Sequence, residues 1–150
     1  MTRVLTLAVV AFLSAAVGGR TDDKKDAPKL DPDLKLLQGT WRIAYHETAG
    51  ADDTLETIWE MEVKDDRYTL SADGIITRGT IALDSSKKPK QLDYSIDDEE
   101  TTTFIGIYEL MGDTYKTCDV EKGKDQRPTE FKTKAKTGQI AVWKKVKVKD

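Results

Sequence analysis

The chain holds one cysteine and one histidine in 150 residues. They are too few for a zinc site built from His and Cys, which takes three or four protein ligands. A lone thiol, Cys118, can close no disulfide within the chain. A Ser-His-Asp triad would have to draw on His46, the only imidazole present. Basic excess is missing as well, since 24 Lys+Arg face 27 Asp+Glu for a net charge of −3. A nucleic-acid binder needs a basic stripe that displaces phosphate counterions, and that class is set aside. No apolar run reaches the ~20 residues that a membrane-spanning helix requires. With 34% charged residues and a mean hydropathy of −0.55, the chain is neither a multi-spanning membrane protein nor a low-complexity one.

The longest apolar run, residues 4–17, follows Met1-Thr2-Arg3 and is broken only by Thr6 and Ser14. One positive charge, a short apolar stretch and the small residues Ser14-Ala15-Ala16 are the parts of a secretory signal peptide. Residues 1–19 are therefore expected to be removed on export to the periplasm or beyond, leaving no membrane span. No Cys follows the run, so a lipid-modified N-terminus of the bacterial lipoprotein kind is not available. Residues 20–33 are charged, contain Pro28 and Pro32 and offer little to bury, which describes a flexible tether. Asp31 or Asp33 can cap a short helix over Leu34, Leu36 and Leu37, with Pro32 in its first turn and Gly39 ending it.

From Gly39 onward the apolar period changes to two. β-Branched and aromatic residues alternate with polar ones, and turn residues recur every 8–12 positions or so. Strands are expected over 40–47, 58–64, 67–71, 75–83, 91–96, 102–110, 114–120, 129–134 and 139–148, separated by turns such as Ala72-Asp73-Gly74 and Met111-Gly112-Asp113. A meander of eight or nine strands removes its unpaired edges by closing, so the expected fold is all-β: an antiparallel up-and-down barrel over residues 34–150, behind a short helical turn. A two-sheet sandwich needs longer crossing connections.

Strict alternation places Trp41, Ile43 and Tyr45 inward and His46 outward on the first strand. The same rule points Trp59, Met61, Tyr68, Tyr94, Phe104, Tyr108 and Phe131 toward the axis, with Glu60 and Glu62 outside. An eight-stranded barrel is either just filled by side chains or able to hold one small ligand. The aromatics can pack on one another as a core; alternatively Gly79 and Gly106, lacking side chains, open space for a guest.

Two resemblances bear on this. Gly39-Thr40-Trp41 behind a helical turn resembles the Gly-x-Trp signature of lipocalins. That fold implies a Trp at the barrel base beneath a basic residue from the end of the chain, here Lys144 or Lys145. Over residues 34–148, the segments Leu37-Gln38-Gly39-Thr40-Trp41, Gly79-Thr80, Asp84-Ser85-Ser86-Lys87-Lys88-Pro89-Lys90, Ile105-Gly106-Ile107-Tyr108-Glu109-Leu110-Met111-Gly112-Asp113-Thr114 and Arg127-Pro128-Thr129-Glu130-Phe131 are similar to exported lipocalin-like domains of uncharacterised function common in planctomycete bacteria. The resemblance implies a small calycin-type barrel behind a signal peptide. It implies no reaction and no catalytic residue, and although Cys118 fits the pattern, no role comes with it.

The residues themselves give little chemistry. His46 on the outer face is not positioned as a base, and Glu60 and Glu62 lack the dry concave site that would separate their pKa values. Asp97-Asp98-Glu99-Glu100 lacks the spaced ligands and glycine of a calcium loop. Cys118 suits a partly buried filler. The reading is an exported, non-catalytic, monomeric barrel, without cofactor or metal, that binds a small apolar or amphipathic ligand. The seven inward residues from Trp59 to Phe131 would line the cavity. The rival is a packed barrel whose loops 48–57 and 120–128 contact another envelope protein. A hydrolase using His46 or Glu60 ranks below both.

Overall fold

The computed structural model describes residues 29–149; the expected signal peptide at 1–19 and most of the expected tether lie outside them. Helix α1 spans Pro32–Leu37 and is followed by nine strands: β1 Gly39–Thr48, β2 Ala51–Asp52, β3 Glu60–Lys64, β4 Arg67–Ala72, β5 Ile75–Asp84, β6 Gln91–Ile96, β7 Thr102–Met111, β8 Thr114–Glu121 and β9 Gln139–Lys145. All pairs are antiparallel and run in sequence order from β3 to β9, and β1 pairs with both β3 and β9. Eight strands thus close into an up-and-down barrel, and the two-residue β2 adds only a short hairpin to β1. Tight connections make the meander possible. In the β4–β5 turn, Asp73 and Gly74 both take positive φ, 52° and 78°, the geometry of the hairpin turn whose twist matches its strands.

Helix α1 closes one end. Asp31 caps it, its carboxylate accepting the Asp33 N–H at 2.8 Å, and Pro32 occupies the first turn, where no N–H is missed. The same Asp31 carboxylate accepts from the Ser85 N–H and hydroxyl at 2.9 and 2.8 Å. The Asp33 carboxylate takes the Lys90 ammonium at 2.7 Å and the Tyr108 hydroxyl at 2.9 Å. Residues 31–33, assigned to the tether by composition, are therefore fastened to the barrel. Leu34 and Leu37 are buried over its base. Beneath them Trp41 is 0% exposed and donates its indole N–H to Leu37 O at 2.7 Å. Of the two lysines offered by the sequence, Lys145 covers Trp41: its ammonium lies 5.2 Å from the ring centroid and bonds Leu36 O at 3.0 Å.

Three details depart from the sequence reading. Residues 129–134 form no strand. Segment 122–138 instead folds back over the outside of the barrel, where Phe131 and Tyr45 pack with Ile107, Cys118 and Ile140 in a second, external cluster. The last strand ends at Lys145 rather than Val148. Finally, the register between β1 and β9 slips between Ile43 and Tyr45, so Ala44 is the extra residue of a β-bulge. Every side chain after the bulge changes face. Tyr45 turns outward, and His46 turns inward.

Candidate functional site

The barrel interior is not filled. A cavity of about 260 Å³ lies above the Trp41 floor, toward the end where the β1–β3 loop and the β4–β5 hairpin meet solvent. Ile58, just before β3, and Ile75 and Ile76, the first residues of β5, are exposed at this end.

Its walls are largely aromatic. Trp59, Met61, Tyr68, Tyr94 and Phe104 all line it, five of the seven side chains that alternation placed inward. Tyr94 stacks on Phe104 with centroids 4.8 Å apart and planes 7° off parallel, and meets Tyr68 edge-on at 6.0 Å. The other two lie elsewhere. Tyr108 does point inward, but its hydroxyl is tied to Asp33 at the closed end, below the cavity. Phe131 is outside the barrel, under the Lys116 ammonium at 4.6 Å, because the strand that would have aimed it inward does not form.

Gly79 and Gly106 do not open the space. A Cβ on Gly79 would come 1.6 Å from Ser95 O, and one on Gly106 would come 2.4 Å from Cys118 O. These glycines permit neighbouring strands to approach, and the gap is already occupied by backbone. The smaller residues Thr77, Thr117 and Ala141 are part of the lining.

The polar side of the wall comes from residues that the sequence reading placed outside or did not single out. Asp119 on β8 is 1% exposed, and its Oδ1 accepts from the Tyr94 hydroxyl and the Gln139 amide, each at 2.8 Å. Burial raises its carboxyl pKa to about 6, against the opposing pull of these bonds, of His46 and of Thr117. Gln139 also donates to the Tyr94 hydroxyl at 2.7 Å. Burial first, then the Asp119 charge, pushes the Tyr94 phenol well above its ordinary pKa, so it remains a donor. Tyr115 is 2% exposed, and its hydroxyl has no hydrogen-bond partner among the described residues.

His46 lines the same cavity, 9% exposed, with its ring 4.8 Å from that of Trp59. The expectation of an outward imidazole is overturned by the bulge at Ala44. Its Nδ1 lies 2.6 Å from Asp53 Oδ2, an atom that also accepts from the Thr48 hydroxyl at 2.7 Å. The Thr48 bond and the imidazole hold Asp53 below the usual carboxylate range. A carboxylate on Nδ1 fixes the ring's orientation and makes Nε2 the acceptor of the neutral tautomer. None of the lining residues is a serine or a cysteine, and the aliphatic hydroxyls of the lining are those of Thr77 and Thr117.

Other candidates stay outside. Glu60 is bound to Arg42 at 3.1 Å on the barrel surface. Asp98 caps the turn into β7 through the Thr102 N–H at 3.2 Å. Cys118 is buried in the external cluster, its thiol pKa raised mainly by burial. Among the described residues no group of three His, Cys, Asp or Glu side chains gathers as a metal site, and no helix is long and apolar enough to cross a membrane. No family model matches the chain, and comparisons with curated proteins and with solved structures returned no match.

Proposed function

We propose that this chain is an exported, non-catalytic barrel that takes a small apolar or amphipathic molecule into its open end. The observation that carries the reading is the cavity of about 260 Å³ with mixed lining: aromatic walls, one buried carboxyl and a buried tyrosine hydroxyl that has no hydrogen-bond partner among the described residues. Concave apolar sites with a few convergent polar groups are where small molecules bind. A buried hydroxyl left unpaired costs about 1–3 kcal/mol, which a guest's hydrogen bond recovers. Export is supported by the apolar run at 4–17, and membership of the exported lipocalin-like domains by the segments quoted above.

Indole, a neutral ring that fits this volume, is the probe of choice, with Trp59 and Trp143 in the wall for comparison with an Ala141→Phe variant. Saturable binding to the parent, seen by calorimetry and lost in Ala141→Phe with its folded spectrum intact, supports the reading. Absence of binding in both rejects it. Native mass spectrometry of protein recovered from its own host shows whether a small molecule accompanies it. Fractionation of the same cells tests export.

The His46–Asp53 pair favours a second reading, in which the imidazole acts as a general base on a bound substrate. A hydrolytic activity found in a broad substrate screen and abolished by His46→Gln would establish it over simple binding.

A further inference from the structure

We infer that the cavity selects a guest carrying a protonated amine on a small apolar body, with the ammonium seated between Asp119 and Tyr115. This rests on the binding reading above and names the class of molecule bound.

The argument is an inventory of what the polar wall still has to give. The donors bonded to Asp119 are already committed: the Tyr94 hydroxyl to Asp119, and the Gln139 amide to both Tyr94 and Asp119. Elsewhere the lining has the Thr77 and Thr117 hydroxyls and the Trp59 and Trp143 indoles, and what is left around Asp119 is mostly acceptors. The Tyr94 and Gln139 bonds both fall on Oδ1, and although the Thr117 hydroxyl also pulls on the carboxyl, Oδ2 keeps lone pairs for a guest. Gln139 retains its amide oxygen, and His46, with Nδ1 held by Asp53, retains Nε2. The buried Tyr115 hydroxyl can either give or accept. A cluster rich in acceptors and poor in donors is complementary to a group with several N–H bonds.

Charge points the same way. Asp119 is buried, and among the described residues no lysine or arginine forms an ion pair with it. The remaining titratable groups around the cavity are His46 on β1, Tyr68 on β4, Tyr94 on β6 and Tyr115 on β8. None is a permanent cation. A carboxylate kept from water with hydrogen bonds but no lysine or arginine beside it is costly, and a guest ammonium supplies the missing charge. The π faces of Tyr94 and Phe104 favour a cation nearby as well. A guest carboxylate would meet Asp119 as a like charge.

Volume limits the rest of the guest. An apolar cavity of about 150 Å³ holds benzene. About 260 Å³ therefore admits one aromatic ring or a comparable aliphatic body with a short arm.

The test compares three probes of one size at about pH 8, where an amine of ordinary pKa is protonated. Phenethylamine, phenethyl alcohol and phenylacetate are titrated by calorimetry into the parent, Asp119→Asn and Tyr115→Phe proteins, with indole as the uncharged control. The expected order in the parent is amine at least about tenfold tighter than alcohol, and acetate weakest. Asp119→Asn should bring the amine to the level of the alcohol while indole binding persists. Tyr115→Phe should weaken the amine by about three- to tenfold. The parent comparison alone decides if Asp119→Asn fails to fold. Indole binding with amine and alcohol equal would overturn the amine preference and leave the binding barrel standing; failure of indole together with all three probes would overturn both.

Discussion

Substituting asparagine for Asp119 isolates the energetic cost of the buried carboxyl. Its pKa rises from 3.8 to about 6, mainly by burial. At 1.36 kcal/mol per pKa unit, that rise means the ionised form weakens the native state by about 3 kcal/mol. Below about pH 4 the group is protonated folded and unfolded, and it contributes nothing. Between about pH 4 and 6 the unfolded chain gives up its proton first, so stability falls as pH rises. Above about pH 6 both states are ionised and the whole penalty persists. The amide carries no such penalty, while its oxygen can still accept from Tyr94 and Gln139. Urea unfolding followed by tryptophan fluorescence, repeated across this range, should show the variant gaining on the parent by about 3 kcal/mol between about pH 4 and 7. Titration of groups remote from Asp119 is common to both proteins and cancels. A difference that stays flat with pH would refute the reasoning. So would one that shrinks as pH rises.

Trp41→Ala removes a fully buried ring from the barrel floor and the bond to Leu37 O, and should cost about 3–5 kcal/mol in urea unfolding. Gly79→Ala drives a methyl group onto Ser95 O, forcing β5 and β6 apart, and should lower thermal stability by at least about 1–3 kcal/mol. Arg127 bonds Leu92 O and Gly106 O at 2.9 and 2.8 Å and pairs with Asp93 at 2.7 Å, tying the outer segment to β6 and β7. Arg127→Ala should therefore cost about 2 kcal/mol and raise amide exchange in segment 122–138 selectively, because bonds made by charged donors are the stronger ones.

Barrel closure is legible in the sequence because it rests on repeated, local signals. Alternation from Trp59 to Met61 to Val63, or from Leu92 to Tyr94 to Ile96, survives in the structure, and the turns around Asp73-Gly74 and Gly112-Asp113 fall where expected. The polar side of the site is not legible, for two physical reasons. A bulge has no strong sequence marker, so counting by twos through Ala44 reverses His46. And β8 is covered on both faces, inside by the cavity wall and outside by segment 122–138. Lys116 belongs on the outer face, which by alternation sends Asp119 inward with Tyr115 and Thr117. Cys118 and Val120 share the parity of Lys116, so the strand shows no clean apolar face and nothing singles out Asp119. Phe131 fails because its neighbours alternate like a strand, although no partner strand remains for it once β9 pairs with β1.

The slip at Ala44 has a consequence for how such an interior can change. Remove that one residue and the β1–β9 ladder runs on without a slip, with Tyr45 still opposite Val142 and facing out and His46 still opposite Ala141 and facing the lumen. A single codon inserted after Ala44 would instead rotate the upper half of β1, exchanging an imidazole for a phenol and an acid in the lumen without altering any of the three side chains. The lumen's chemistry is written in the length of a strand as much as in its letters.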